Sequence, residues 1–463
     1  MNADALHLVI PATVEGYPVT AIGEYAFFGR TSFISVTIPA SVKRIEGSAF
    51  DSCTSLLSVT FAPGSQCTML GGSSFARCTA LSSLEIPASV TSLSASSFTD
   101  CTSLYEVEGG IAYIGTWAIR CINTNARYLV IREGTEKIAC DALWLLNLLE
   151  IWIPSSVSYI VEGAIGGRNL TLISVAADNP YYTSIDGDLY SKDGKTLLRH
   201  CEGKGTTVYQ VPSTVTRIGG SAFWNCSSLT AIAIPSSVTS IGEYAFLNCS
   251  ALVSVELPAS VTELGQFVFS GCKSLEKITV AAGNPSYKSV DGVLYTKDGT
   301  TLLQYPPAKN ETHYTVPDGV TAVAESAFQY SSLVTVALPD GLLTIGERAF
   351  AGCQSLVAIK IPASVTTIGR MAFNGCTSLT EFTVPEGVVV IEYGLLTNCQ
   401  SLTEVHLPAS VALIRASVFS RCALLETVYY GGTEDEWREI YFVVAEESDC
   451  GGADILYTVN SGN

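Results

Sequence analysis

Residues 239–261 read "TSIGEYAFLNCSALVSVELPASV", and residues 262–280 follow with "TELGQFVFSGCKSLEKITV", setting Leu, Gly, Phe, Cys and Leu at nearly the same offsets. Anchored on the Phe of this unit, the same slot falls at Phe27, Phe50, Phe75, Phe98, Phe223, Phe246, Phe269, Phe328, Phe350, Phe373 and Phe419. Degenerate copies place Leu143, Ile165 and Leu396 there. One sentence repeated over about fourteen coils is the signature of a solenoid, in which each unit covers its neighbour's apolar face.

Within a unit, Val255 and Leu257 alternate with Ser254 and Glu256, so one side of a strand meets a core and the other meets water. Pro258, like Pro39, Pro87, Pro235, Pro339, Pro362, Pro385 and Pro408 in their own copies, has no amide to donate and ends the strand. The Leu264-Gly265 step is expected to permit a sharp or left-handed turn, and the Val268-Phe269 pair to point inward from a short helical or irregular return. The expected fold class is an α/β repeat solenoid: a rod or arc of roughly 70 Å, at ~4.8 Å per strand, with a long parallel β-sheet on one face.

Composition agrees with a buried core and narrows the partners. Hydrophobic residues make up 48% of the 463 positions and charged ones 15%, which argues against disorder. Asp and Glu total 43 against 25 Lys and Arg, a net charge of -18 that repels nucleic acid and anionic lipid. The start, "MNADALHLVIPATVEG", lacks the basic and apolar regions of a secretory signal, and no apolar run is long enough for a membrane helix, so no membrane insertion is expected.

These residues resemble the BspA-type leucine-rich repeats, whose unit reads "SLTxVxIPxSVTxIGxxAFxxC", and the resemblance covers nearly the whole chain. It implies a non-enzymatic binding protein, extracellular or on the surface of a host-associated bacterium, that adheres to a protein or glycan. The alternatives are an intracellular or structural scaffold, in line with the missing signal, and more distantly a glycan-acting enzyme using paired Glu residues. The repeat array is expected over 1–427, as a monomer. The ending from Val428 resembles a terminal element of bacterial family members, and Trp437, Ile440, Tyr441 and Phe442 are expected to cap the last coil over 428–463.

Two stretches interrupt the spacing in the same way: "NPYYTSIDGDLYSKDGKTLL" from Asn179 and "NPSYKSVDGVLYTKDGTTLL" from Asn284. Each carries two Asp-Gly pairs flanking alternating runs, the signature of a β-hairpin, and insertions are expected near 179–210 and 284–315, with a blurred copy near 105–122. The aspartates also admit a calcium reading, but their spacing departs from the Asp-x-Asp-x-Asp-Gly loop and turn chemistry is preferred.

Ten of the fifteen cysteines share a slot three residues after the Phe: Cys53, Cys78, Cys101, Cys226, Cys249, Cys272, Cys353, Cys376, Cys399 and Cys422. Arg30 and Ser331 stand there in other copies without a paired loss, which points to reduced packing residues rather than disulfides. Cys67, Cys121, Cys140, Cys201 and Cys450 show no Cys-x-x-Cys spacing, so neither zinc nor a cofactor is expected. Nucleophile-elbow, zincin and phosphate-loop motifs are missing, and His7, His200, His313 and His406 read as surface or turn residues. The remaining candidate site is the outward strand face, with Glu256, Lys277, Lys360, Glu381, Glu404 and His406 as its charged or large groups.

Overall fold

The computed structural model describes residues 7–442 and 454–457. They fall into two compact units, Met1–Lys204 with Gly219–Ala222, and Gly205–Ile218 with Phe223–Asn463.

In both units a regular coil contributes two strands rather than one. In the second unit Ser254–Leu257 pairs in parallel with Lys277–Val280, Val255 lying against Ile278. The shorter Ser240–Ile241 pairs in parallel with Glu263–Leu264. The first unit repeats the scheme, with Ser35–Ile38 beside Ser58–Phe61 and Arg44–Ile45 beside Met69–Leu70. Val36, Ile45, Ile241, Val255 and the Phe slot from Phe50 onward fill the space between the two ladders and are almost fully buried.

The α/β expectation is corrected to a parallel-strand solenoid with little helix. Among the described residues helical structure is confined to the six-residue α-helix Glu434–Glu439 and the 3-10 turns Ala95–Phe98 and Glu202–Lys204. The reason lies in where the return's amides go. Arg348, Phe350 and Gly352 donate to the carbonyls of Arg370, Ala372 and Asn374 in the next coil, at 2.9, 2.8 and 2.7 Å, while Ala349 and Ala351 between them bond three residues back to Gly346 and Arg348, so no helical i−4 ladder forms.

The repeated glycine also works differently from expectation. A Cβ on Gly265 would sit 2.3 Å from the Glu243 amide nitrogen, and one on Gly369 2.5 Å from that of Glu347, so the glycine lets adjacent backbones touch. The left-handed step comes two residues later and is taken by side-chain-bearing residues: Phe267 at φ 54 and Met371 at φ 52. The strand-ending proline behaves as its chemistry dictates, its carbonyl closing a turn with the Val three residues on, as from Val261 to Pro258 at 3.2 Å.

The Phe slot forms stacked columns. Phe350 lies 4.9 Å from Phe328 and 5.1 Å from Phe373 between ring centroids, with both pairs of planes within 4° of parallel. Phe27, Phe50, Phe75 and Phe98 make an equivalent column in the first unit.

The antiparallel segments are not appendages between coils. Tyr287–Val290, Val293–Thr296 and Thr301–Gln304 form a meander, and its third strand pairs in parallel with Ala322–Val323, so it is that coil's own short-ladder strand. Asn284 is buried and staples the meander down: its side-chain amide donates to Pro258 and Val261, and its oxygen accepts from the amides of Ser286 and Tyr287. Asn179 does the same in the first unit, ahead of Tyr182–Ile185, Asp188–Ser191 and Thr196–Arg199. In that unit, too, Glu106–Glu108, Ile111–Ile114 and Trp117–Cys121 make a meander whose last strand joins Lys137–Ile138.

Candidate binding face

Along the outward ladder alternate residues face solvent while those between them are buried. Lys277 and Thr279 are exposed around Ile278, and Glu381 and Thr383 around Phe382. Register then sets side chains of successive coils beside one another, about 4.8 Å apart. Glu381 stands opposite Glu404, which stands opposite Thr427; Thr383 stands opposite His406, and His406 opposite Tyr429. The His406 ring stacks on Tyr429 with centroids 4.5 Å apart and planes 9° from parallel. Its Nε2 lies 3.9 Å from a Glu404 carboxylate oxygen.

The face is segmented rather than continuous. Lys277–Val280 ends one parallel run, because the meander's turn occupies the next position and Ile278 donates to the Gly292 carbonyl at 2.9 Å. Of the six residues expected at the site, Glu256 and Lys277 lie on that four-stranded run, and Glu381, Glu404 and His406 share another. Lys360 is exposed just beyond the two-residue strand Ala358–Ile359 and belongs to neither group. Beside the second group lies a groove of about 360 Å³, lined in part by Thr383, Glu386, His406, Tyr429 and Leu456.

Over most of the chain the sequence matches one family description, the BspA type leucine rich repeat region in six copies, across residues 20–144, 68–190, 201–290 and 308–434. The chain belongs to that family. Among solved structures, this BspA-type protein is similar to a leucine rich cell surface protein of Faecalibacterium prausnitzii A2-165, with 25% identity over 94% of this chain and 90% of that one and a TM-score of 0.47. The pneumococcal vaccine antigen PcpA shares 21% identity over 99% and 90%, with a TM-score of 0.45. A leucine-rich repeat protein of Eubacterium ventriosum shares 25% over 65% and 72%, also with a TM-score of 0.45. Among curated proteins none matches.

Elsewhere in this BspA-type chain the structure places polar groups the sequence reading did not anticipate. His200, expected at the surface or in a turn, is buried, with Nδ1 2.7 Å from a carboxylate oxygen of the equally buried Asp188. Lys204 reaches the other Asp188 oxygen, and Arg199 pairs with Glu202. Burial opposes ionisation of Asp188, but the hydrogen bonds and charges of His200 and Lys204 outweigh it and hold the carboxyl below its usual range. Burial pushes Glu202 upward against the pull of Arg199. The hairpin aspartates serve their own turns: Asp298 accepts from the Thr300 amide at 3.0 Å and the Thr296 hydroxyl at 2.7 Å, which brings its carboxyl down to about 2. No cluster of three potential ligand side chains suited to a metal ion occurs among the described residues, and no described helix is long and apolar enough to cross a membrane.

Proposed function

We propose that this BspA-type protein is a non-enzymatic binding module of a bacterial surface or secreted protein, gripping a macromolecule through its outward strand face. The single observation carrying this reading is the aligned register of Glu381, Glu404 and Thr427 beside Thr383, His406 and Tyr429. Side chains from three coils thereby form one surface that no single coil could present. Such a surface suits an extended partner better than a small molecule, which favours enclosed pockets. Family membership supports the reading, since its members are mostly surface or secreted products of host-associated bacteria.

The test is a solution binding screen of the purified chain against extracellular-matrix proteins and a glycan array, repeated with Glu404→Lys and Tyr429→Thr on the face and Arg348→Glu on the returns. Loss of a ligand with the face variants and its retention with Arg348→Glu is the expected result. Loss with Arg348→Glu alone would move binding to the returns, and the absence of any ligand would favour a scaffold.

A further inference from the structure

In most regular coils the outward positions carry Ser, Thr, Ala or a charged residue. One block of the first unit departs from this. The strands Tyr128–Val130, Glu150–Ile153 and Leu172–Val175 pair in parallel, setting Tyr128 opposite Glu150, which stands opposite Leu172, and Val130 opposite Trp152, which stands opposite Ser174. Tyr128 is 62% exposed, Val130 64% and Trp152 43%. Leu129 and Ile151, between them, are buried, so the exposure follows from strand alternation and the core beneath is already filled.

An indole, a phenol and two branched aliphatic side chains held on a rigid sheet have the make-up of a binding hot spot, where Trp and Tyr dominate because they contribute large area with few rotors. An apolar cluster of this kind on a solvated face marks an interaction surface.

The surroundings of the block are acidic. Glu150 stands within it. At its side the Glu106–Glu108 strand leads into a turn at Gly109, where a Cβ would lie 3.6 Å from the Val130 carbonyl, and both acids contact Arg132, at 2.8 and 3.6 Å. Arg132 is largely covered and lies over the Tyr113 ring, which leaves the more exposed Glu106 and Glu108 as the outer charges. Arg127 precedes the strand and is out of phase with the outward set.

We infer that the Tyr128–Val130–Trp152 block is the docking site for a cationic protein segment, whose Lys or Arg side chains meet Glu150 and Glu108 and stack on Trp152 while its apolar side chains cover Tyr128 and Val130. Cation–π attraction and ion pairing then act on the same partner groups. A second copy of this chain is the wrong occupant, because a two-fold contact would bring Glu150 and its acidic neighbours against their own like charges. A glycan fits less well, because Val130 and Leu172 offer its hydroxyls no hydrogen bond. The inference rests on the proposed role of the outward face and names one site and one partner class within it.

The test uses a random peptide library displayed on phage, selected on the intact immobilised protein, with the enriched peptides then synthesised and titrated. The variants are Tyr128→Thr and Trp152→Thr, which install the residue regular coils carry at this position, Glu150→Lys, Arg348→Glu on the returns as the control, and Tyr429→Thr to report on the second unit's face. The expected result is enrichment of peptides pairing Lys or Arg with aromatic or aliphatic residues. Their affinity should fall at least about 30-fold with Trp152→Thr and about 10-fold with Glu150→Lys, while Arg348→Glu has no effect. Peptides sensitive only to Tyr429→Thr would overturn this site and leave the outward face as the binding surface. Glycans lost on Trp152→Thr, or self-association in sedimentation abolished by it, would replace the cationic partner by a sugar or a second copy. With no ligand affected by any face variant, both this inference and the proposed function fall. Unchanged circular dichroism and melting of the Thr variants show that the fold has been kept throughout.

Discussion

The thiol of Cys376 donates to the carbonyl oxygen of Phe350, 26 residues earlier in the preceding coil, at 3.2 Å. The relationship recurs from Cys53 to Phe27, Cys78 to Phe50, Cys249 to Phe223, Cys353 to Phe328 and Cys399 to Phe373, all between 3.0 and 3.3 Å. One coil's cysteine thus ties down the carbonyl of the neighbouring coil's stacked Phe. Sulfur in this slot is both a packing atom and a weak donor.

Replacing Cys376 by Val keeps an apolar group of similar size but removes the donor, and the expected loss is about 1 kcal/mol in urea unfolding. Because the fourteen described cysteines are free, denatured but unreduced protein is expected to titrate most of its fifteen thiols; four or more disulfides would contradict this. Burial raises Cys272 and Cys353 to about 12. These two thiols should therefore resist alkylation at pH 8 until the protein opens.

The sequence made the repeat, the inward Phe and the packing role of the cysteines legible because each occupies a fixed offset that chance does not reproduce. The short second ladder was not legible: strands such as Ser240–Ile241 have two residues, too few to show alternation, and their pairing is a property of the stack. The binding face was only half legible. Glu404 and His406 announce themselves as polar residues between apolar ones, whereas "YLVI" at 128–131 hides its outward Tyr128 and Val130 in an unbroken apolar run. His200 was missed for a related reason. It donates its amide to Ala222 as Phe350 does to Ala372, which puts it in the Phe slot, but the preceding meander disrupts the count.

Phe350 lies between two parallel rings, so Phe350→Ala should cost about 3–5 kcal/mol, combining lost transfer energy with an unfilled cavity. Phe350→Leu should cost much less, since Leu396 already occupies this slot and is buried there. Chemical denaturation of the two variants separates ring stacking and volume from simple hydrophobicity.

Asp188→Asn breaks a buried pair with His200 and a contact with Lys204, and the expected loss at pH 7 is about 3–5 kcal/mol. The sign of its pH dependence follows from the lowered carboxyl. Its contribution is full above the unfolded value near 4 and is lost as pH falls through the folded value. Glu202, raised by burial, acts in the opposite sense, its advantage lying below the unfolded value and fading as pH rises through the folded one. Urea unfolding of the parent and the variant at pH 7 and pH 3 should therefore show a gap that narrows in acid.

At the C-terminal end Trp437 is buried, edge-on to Tyr430 at 5.2 Å and to Phe442 at 5.8 Å, on a helix whose start is fixed by the Thr433–Glu436 capping box. We propose that this element caps the solenoid. Deletion from Gly431 onward should expose Cys422, Leu425 and Val428 and produce concentration-dependent association by sedimentation. Trp437→Ala should lower stability by about 3 kcal/mol. A truncated chain that stays monomeric with unchanged melting would make the segment a tail.

On the outward face, charge reversal at Lys277, Lys360 and Glu404 is expected to weaken a macromolecular partner by about 1 kcal/mol or more each, provided that partner spans the second unit's runs. The register sets an order among the three. Glu404 sits between Glu381 and Thr427 and within 3.9 Å of His406, so Glu404→Lys alters a shared surface. Lys360 stands outside both runs, and Lys360→Glu should have the smallest effect. Because these groups are exposed, raising ionic strength from 0.05 to 0.5 M should weaken the parent complex and shrink the differences among variants. Affinities measured across that salt series decide the matter: equal binding by the triple variant at low salt would remove the second unit's face from the interface and leave the Tyr128–Trp152 block to account for binding alone.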